Sequence, residues 1–319
     1  MAKPSLLVTG LCPDGGNTNT RIRSAIEQGA RQTGLFARIE QMAIEGVLAR
    51  DTIGFDIVLA VGSGTVDTVP FASLSKRVRA SGGVLAFWTH EDPYEFDLNA
   101  RLVNFCDFFF TNEIATLPFY DDDRVSWLPL AGDQDYDRPI RPFKERPVDL
   151  FFCGYGYPLR LHILGRILAN DNNLNRLAIL GPNLKDELGE KAFDKRLSTR
   201  EMADACSRAK LVLNIGRDLS IANNRFNIIA ETPGPRTFDV ALSGTPQLLF
   251  DDGLMIEHFY EPGREILLFD NADDVGAAIA NMQRYPEEGE KIAMAARERT
   301  MSEHLYRHRI EAIMKEIGA

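Results

Sequence analysis

The feature that most constrains the fold is the alternation of short apolar runs with amphipathic helical patterns in the first half of the sequence. Five runs are predicted to be strands: Ser5 to Thr9, Asp56 to Val61, Val84 to Trp88, Asp107 to Thr111 and Val125 to Leu128. Helical periodicity separates them, most clearly at Thr18 to Thr33 and Pro70 to Arg79. Nearly uniform apolar strands separated by helices are typical of parallel sheets covered on both faces, so we predict a doubly wound α/β domain.

A second alternating series follows a charged, proline-rich segment, Asp135 to Pro147, which we predict to be a domain linker. The predicted strands of this half are Val148 to Cys153, Leu177 to Leu180, Leu211 to Ile215, Gln247 to Phe250 and Ile266 to Phe269. The predicted helices are Pro158 to Ala169, Thr199 to Ala209, a short helix from Pro235, Ala272 to Gln283, and Glu287 to Ile317 with a break near Thr300. The sequence thus predicts Rossmann-like domains over residues 1–140 and 141–300, a last helix over 301–319, and a ligand cleft at the carboxyl ends of the strands.

Composition narrows the classes of function. The formal net charge of −10 argues against a surface devoted to nucleic acid or anionic lipid, so a small-molecule or neutral acceptor is favoured. The four cysteines are far apart and lack the spacing of a zinc site, which indicates buried apolar residues in a reducing compartment. No run has the length of a secretory signal core or of a transmembrane helix, so we expect a cytoplasmic protein.

The segment Glu231 to Asp239 is the most informative site motif. Its two terminal carboxylates flank a Pro-Gly-Pro turn, and Pro235 suits the first position of a helix. A helix start offers free N–H groups and a positive dipole end, so Gly234, Arg236 and Thr237 are candidate contacts for a diphosphate. A solvated proline-rich turn with two exposed acids explains the same residues equally well.

The first predicted strand runs into a glycine pair, Gly15 and Gly16, followed by Asn17 and a helix. Paired glycines let a ligand approach the backbone and the helix start supplies donors, which favours a ligand loop. The loop lacks the Gly-x-Gly-x-x-Gly spacing, and no Walker sequence occurs, so classical dinucleotide and P-loop chemistry are disfavoured. The alternative is a solvated turn capped by Thr18.

Three titratable residues, His90, Glu91 and Asp92, follow the strand Val84 to Trp88. At the carboxyl end of a strand they are candidates for an acid, a base or a sugar-hydroxyl contact, and with Glu231 they form the candidate catalytic set. The alternative is a structural histidine followed by two acids that cap the next helix.

Loops of the second half add four candidates for donor binding: Tyr155, Arg160, Asn214 and Arg217. A tyrosine stacks on a nucleobase or simply packs, and arginines bind phosphate oxygens in pairs although most of them are surface residues. Glu257 and Glu265 repeat the spacing of the acidic pair, but they lack the turn and helix between them, so a structural role is favoured for both.

Several of these segments resemble the CgeB-type, or spore-maturation-protein-like, glycosyltransferases. In the second half the similar segments are Glu231 to Pro246, Glu257 to Gly263 and Glu265 to Phe269. In the first half they are Trp88 to Pro93, Phe109 to Asn112 and Trp127 to Pro129. More distantly, the chain resembles the retaining GT-B enzymes of glycosyltransferase family 4, whose pattern has a Gly-Gly loop after the first strand and a spaced glutamate pair.

The resemblance implies roles for the candidate residues. Gly15 and Gly16 would approach the donor diphosphate, and Glu231 would contact the transferred sugar. Asp239 takes the place of the glutamate that holds the nucleotide ribose, and it is one methylene shorter. Three arginines compete for the diphosphate: Arg160, Arg217 and Arg236.

The resemblance also implies a GT-B fold, in which the last helix packs back toward the first domain. The implied activity is metal-independent transfer of a sugar, with retention and without a further cofactor, from a nucleoside-diphosphate sugar such as a UDP-sugar to a glycan, protein or small-molecule acceptor. A GT-B sugar-nucleotide epimerase and a non-catalytic GT-B-like protein that binds a carbohydrate or a partner are the alternatives. We expect no nucleic-acid partner, and the sequence leaves the oligomeric state open.

Overall fold

The structure, a computed structural model, describes residues 2–10, 18–64, 67–170 and 176–318. The chain divides into two compact units. The first unit comprises Met1–Leu130, Ser220–Thr232 and Leu305–Ala319, and the second comprises Ala131–Leu219 and Pro233–His304. Residues 220–232 therefore belong to the first unit, although they follow a strand of the second.

The first unit contains a six-stranded parallel sheet. Its strands are β1 (Ser5–Gly10), β2 (Arg38–Gln41), β3 (Ile57–Gly62), β4 (Val84–Thr89), β5 (Phe108–Thr111) and β6 (Val125–Trp127), in the order β2-β1-β3-β4-β5-β6. Its first helices are α1 (Thr18–Thr33), α2 (Ile44–Leu48), α3 (Val69–Ala80), α4 (Phe96–Asn99) and α5 (Leu117–Tyr120). Every residue of β3 is buried, as expected for a parallel strand covered on both faces.

The second unit contains a five-stranded parallel sheet. Its strands are β7 (Val148–Cys153), β8 (Leu177–Leu180), β9 (Ala209–Asn214), β10 (Gln247–Phe250) and β11 (Leu267–Phe269), in the order β11-β10-β9-β7-β8. Its helices are α6 (Pro158–Asn170), α7 (Lys185–Leu188), α8 (Thr199–Ser207), α9 (Pro235–Leu242), α10 (Ala272–Arg284) and α11 (Pro286–Glu303). The two sheets confirm the predicted doubly wound class.

Strand order locates the expected ligand-binding edge of each sheet. In both units the first strand lies between the second and the third, so the direction of winding reverses between β1 and β3 and between β7 and β9. Open parallel sheets bind ligands outside the carboxyl ends of the strands at such reversals. The loops after these strands are therefore the expected ligand-binding loops.

The last helix, α12 (Tyr306–Ile317), belongs to the first unit and packs against α1. The helix break predicted near Thr300 lies four residues later, because α11 continues to Glu303 and the chain leaves helical geometry at His304. Thr300 stays within the helix, and its hydroxyl donates to the carbonyl of Ala296 at 2.7 Å. Within the described residues, no helix is long and apolar enough to cross a membrane.

Gly29 allows the close approach of α12 to α1. A Cβ at this position would lie 2.8 Å from the backbone nitrogen of Arg307, closer than real Cβ contacts come. Gly29→Ala should therefore lower the free energy of unfolding by about 1–3 kcal/mol, the usual cost of overpacking. Gly165→Ala in α6 is the matched control, since nothing lies within 4 Å of its Cβ position, and helix propensity should make it neutral or stabilising by up to about 1 kcal/mol. Urea denaturation measures both, and equal effects would contradict the close packing.

Candidate functional site

In the second unit, the loops after β7 and β9 are tied together by Arg160. The guanidinium Nε of Arg160 donates to the carbonyls of Ile215 at 3.0 Å and Gly216 at 2.9 Å. The same guanidinium lies over the ring of Tyr157, 4.9 Å from its centroid. Arg160 therefore connects the two loops at the reversal of strand order, and its Nε is used in holding them.

Two tyrosine rings form the surface of this loop pair. Tyr155 and Tyr157 are stacked, with ring centroids 6.0 Å apart and an interplanar angle of 17°. Arg196 lies 5.3 Å from the ring centroid of Tyr155, and Arg217 lies 5.6 Å from that of Tyr157. Because Tyr155 is 40% exposed, the loop presents an aromatic face flanked by positive charge, which suits the base or phosphates of a nucleotide.

The start of α9 is held against the carboxyl end of β9. Gly234 is the N-cap residue and Pro235 occupies the first helical position, as predicted. The Asn214 side-chain amide donates to the Thr237 hydroxyl at 3.2 Å and to Gln247 Oε1 at 3.1 Å. The Gln247 amide in turn donates to the Thr237 carbonyl at 2.7 Å. This network fixes the first turn of α9, whose positive dipole end forms a potential anion site.

Arg236 differs from the other two arginine candidates in its contacts. Its Nη1 lies 3.2 Å from the sulphur of Met202, which is a weak acceptor. The side chain is half-buried, and no carboxylate in the described ranges forms an ion pair with it. In contrast, Arg217 Nε donates to the Leu219 carbonyl at 2.7 Å. Arg236 therefore keeps the most donor capacity for a ligand.

Asp239 lies on the buried face of α9. It is 1% exposed, and its Oδ1 accepts the backbone N–H of Asp133 at 3.0 Å. The carboxylate thus fastens the chain that follows β6 to α9 within the second unit. The ribose contact that the resemblance implies for Asp239 stays a prediction.

Glu231 lies near the end of Ser220–Thr232, the segment that follows β9 but belongs to the first unit. Its backbone N–H donates to Oε1 of Glu113 at 3.0 Å, and the next residue, Thr232, donates to Oε2 of the same carboxylate at 3.0 Å. The side chain of Glu231 is exposed and makes no hydrogen bond or ion pair with a described residue. A fixed backbone therefore carries a carboxylate that is available to a ligand.

Glu113 was not among the residues predicted from the sequence. It follows β5, is 1% exposed, and also accepts the N–H of Ala115 at 3.0 Å. Burial raises the pKa of Glu113 to about 7, although hydrogen bonds from Ala115, Thr232 and Glu231 oppose the increase. The segment Phe109 to Asn112 is one of those that resemble the CgeB-type proteins, but no local sequence pattern identified Glu113, which follows it.

The His90 loop follows β4 in the first unit, and its three candidates differ. His90 is 6% exposed, and burial, assisted by the charge of Arg21, lowers its pKa to about 3, so the ring is neutral at pH 7. Glu91 is half-buried. Asp92 is buried and accepts hydrogen bonds from Asn99 at 2.6 Å, from Thr111 at 2.8 Å and from the hydroxyl of Tyr120. Burial raises the pKa of Asp92 as well.

The remaining candidates are Gly15, Gly16, Asn17, Glu257 and Glu265. Gly15, Gly16 and Asn17 lie outside the described residues. Glu257 is exposed in a single helical turn. Glu265 is 5% exposed and accepts the backbone N–H of Glu261 at 2.9 Å, which gives it a structural contact.

Comparisons with known proteins agree with this architecture. Residues 160–315 match the model of a family described as glycosyl transferase-like, whereas none of the curated proteins compared matches the sequence. HepE from Anabaena, solved in complex with UDP and glucose, is similar with a TM-score of 0.65, 12% identity and 99% of each chain covered. An alpha-glucosyltransferase in complex with UDP and a 13-mer DNA gives a TM-score of 0.70, 8% identity and 100% of each chain covered. Sucrose-phosphate synthase from Thermosynechococcus elongatus gives 0.63 and 12% identity, with 99% of this chain and 97% of that chain covered.

The likeness to these solved structures confirms the predicted GT-B fold, and the match to the glycosyl transferase-like model covers residues 160–315. The finer resemblances, to CgeB-type proteins and to glycosyltransferase family 4, stay predictions.

The raised pKa of Glu113 predicts how stability depends on pH. Between about pH 4.5 and pH 7 the folded protein holds this proton and the unfolded chain does not, so Glu113 lowers the free energy of unfolding as pH rises, by up to about 3 kcal/mol. The buried His90, whose pKa is lowered to about 3, contributes the opposite slope up to about pH 6.5. Glu113→Gln removes only the Glu113 titration, so the stability of the wild-type protein relative to Glu113→Gln should fall as pH rises through this window.

Denaturation series at several pH values measure this effect. Glu257→Gln, at an exposed glutamate, is the control and should leave the slope unchanged. An unaltered slope in Glu113→Gln would contradict the assignment.

Proposed function

We propose that the protein is a glycosyltransferase that moves a sugar from a nucleoside-diphosphate sugar to an acceptor, with retention and without a metal. One observation carries the proposal: α9 begins at the carboxyl end of β9 and carries Arg236 in its first turn. This helix start lies inside the region that matches the glycosyl transferase-like model. Helix starts and arginines are the usual protein partners of phosphate oxygens.

The chemistry requires stabilisation of the departing diphosphate. Negative charge develops on its oxygens as the bond to the sugar breaks, while positive charge develops on the sugar ring. The N–H groups and dipole of α9 and the guanidinium of Arg236 would supply preorganised donors for that charge. The leaving phosphate would accept the proton of the acceptor, so the proposal needs no protein general base.

Glu231 would orient the sugar. It precedes Gly234 by three residues, so the covalent chain alone keeps the two Cα atoms within about 11 Å of each other. Its exposed carboxylate can accept hydrogen bonds from sugar hydroxyls. Asp239 would serve the ribose only if the contact with Asp133 opened, since the carboxylate is buried.

The stacked pair Tyr155 and Tyr157 would meet the nucleobase or the outer phosphates. HepE and the alpha-glucosyltransferase are both described in complex with UDP, which supports a uridine donor here. The neutral His90 would act as a hydrogen-bonding group toward the sugar or acceptor, with Glu91 beside it, and Asp92 would hold their loop.

We propose a glycan, protein or small molecule as acceptor rather than a nucleic acid. One similar structure holds DNA. This chain, however, has a formal net charge of −10, and DNA binding depends on neutralising phosphates with excess positive charge.

Calorimetry with nucleoside diphosphates tests the donor assignment. We expect UDP to bind and Arg236→Ala to weaken its affinity by about tenfold, the effect of losing one charge-assisted hydrogen bond. Arg284→Ala, at an exposed arginine of the last turn of α10, is the matched control and should leave the affinity unchanged. Failure of the wild-type protein to bind any nucleoside diphosphate would overturn the proposed function.

A further inference from the structure

The exposed Glu231 side chain stands on a backbone that has no regular secondary structure. Residues 228–232 lie outside every helix and strand, so their N–H groups have no ladder in which to pair. Buried backbone donors need a partner, and an unpaired one costs as much as a lost hydrogen bond. The positions of Glu231 and Thr232 therefore depend on whichever side chain accepts their hydrogen bonds.

Glu113 is that side chain. Its Oε1 accepts from the N–H of Glu231 at 3.0 Å, and its two oxygens accept from the N–H of Thr232 at 3.2 and 3.0 Å. The Thr232 hydroxyl lies 3.3 Å from Oε1 and accepts the N–H of Ile114 at 3.1 Å. The loop after β5 and residues 231–232 thus bind each other in both directions, all within the first unit.

A purely structural role does not require a carboxylate at this position. Burying a carboxylate is costly, and a well-packed apolar side chain usually stabilises a core as well or better. A carboxylate has one property that an apolar side chain lacks, since it accepts several N–H groups at once and fixes the directions of the peptides that carry them. The residue whose backbone is fixed in this way is Glu231, whose own carboxylate is exposed.

We propose that Glu113 is a positioning residue for Glu231. It fixes the backbone of Glu231 and Thr232 immediately before Pro233, and so sets the direction in which the Glu231 carboxylate meets the donor sugar. The inference rests on the proposed function, in which Glu231 contacts that sugar. Proline restricts the residue before it to extended conformations, so the segment has little freedom once the two N–H groups are held.

The sugar-dependent part of donor affinity is the quantity that tests this role. UDP and UDP-glucose are titrated into the wild-type protein, Glu113→Ala, Glu231→Ala and the double variant. We expect each single variant to bind UDP-glucose about tenfold more weakly, as for one lost charge-assisted hydrogen bond, while UDP affinity changes less than about twofold. The double variant should lose no more than Glu231→Ala does, because both changes remove one interaction.

Hydrogen exchange gives an independent readout of the same contact. The amides of Glu231 and Thr232 should exchange faster in Glu113→Ala. Asp149→Ala is the matched control for loss of a buried carboxylate, since Asp149 is paired with Arg176 and Lys210 at the start of β7 in the second unit. It should lower stability without changing the ratio of UDP-glucose to UDP affinity.

Glu113→Gln keeps the test usable if Glu113→Ala does not fold. Glutamine retains one acceptor oxygen, so we expect a smaller loss of UDP-glucose affinity in the same direction. A folded Glu113 variant with the wild-type ratio of affinities, or additive losses in the double variant, would overturn this inference while leaving the proposed function intact. Failure of the wild-type protein to bind UDP, UDP-glucose or any other nucleoside diphosphate would instead overturn the proposed function, and the inference with it.

Discussion

The parallel alignment of the strands is the constraint on which every candidate contact depends. It brings all the carboxyl ends of a sheet to one edge, and the reversal of winding between β7 and β9 separates the loops that follow them. Arg160 then joins these loops through two backbone carbonyls. Gln247, at the start of the neighbouring β10, binds both Asn214 and the first turn of α9. Side chains of β9 and β10 therefore fix the position of the first turn of α9.

Burial decides which polar groups are available for chemistry. A buried carboxylate must be paired or hydrogen-bonded, and once its partners are protein groups it has little left for a ligand. Asp92 and Asp239 are in this state, since their oxygens accept hydrogen bonds from the protein. Glu231 and Arg236 are not, because the first has an exposed carboxylate and the second contacts a thioether sulphur. A motif defined by residue types alone cannot separate these two groups.

Local patterns predicted what depends on local chemistry. The strands and long helices follow from apolar periodicity, and Gly244 follows the C-cap of α9 with a φ of +69°, the left-handed conformation that favours glycine. Strand β2 was missed because its Arg-Ile-Glu-Gln sequence lies at a half-exposed sheet edge and has no apolar run. Glu113 was missed because its hydrogen-bond partners, Glu231 and Thr232, lie more than a hundred residues away in the sequence. Gln247 was missed because its role depends on a side-chain network that joins β9, β10 and α9. Such pairings leave no periodic signal.

Glu231 and Asp239 are held by different parts of the structure. The sequence presents Glu231 and Asp239 as the two ends of one turn, but the boundary between the units lies between Thr232 and Pro233. Glu231 is fixed by the loop after β5, and Asp239 is fixed by the chain after β6. Each acid therefore depends on a separate segment of the first half of the chain. The Asp92 network reaches the same loop, since Thr111 donates to Asp92 at 2.8 Å and accepts the N–H of Glu113 at 3.1 Å. A substitution at Asp92 would thus reach the proposed sugar contact through Thr111 and Glu113, without Asp92 touching the substrate.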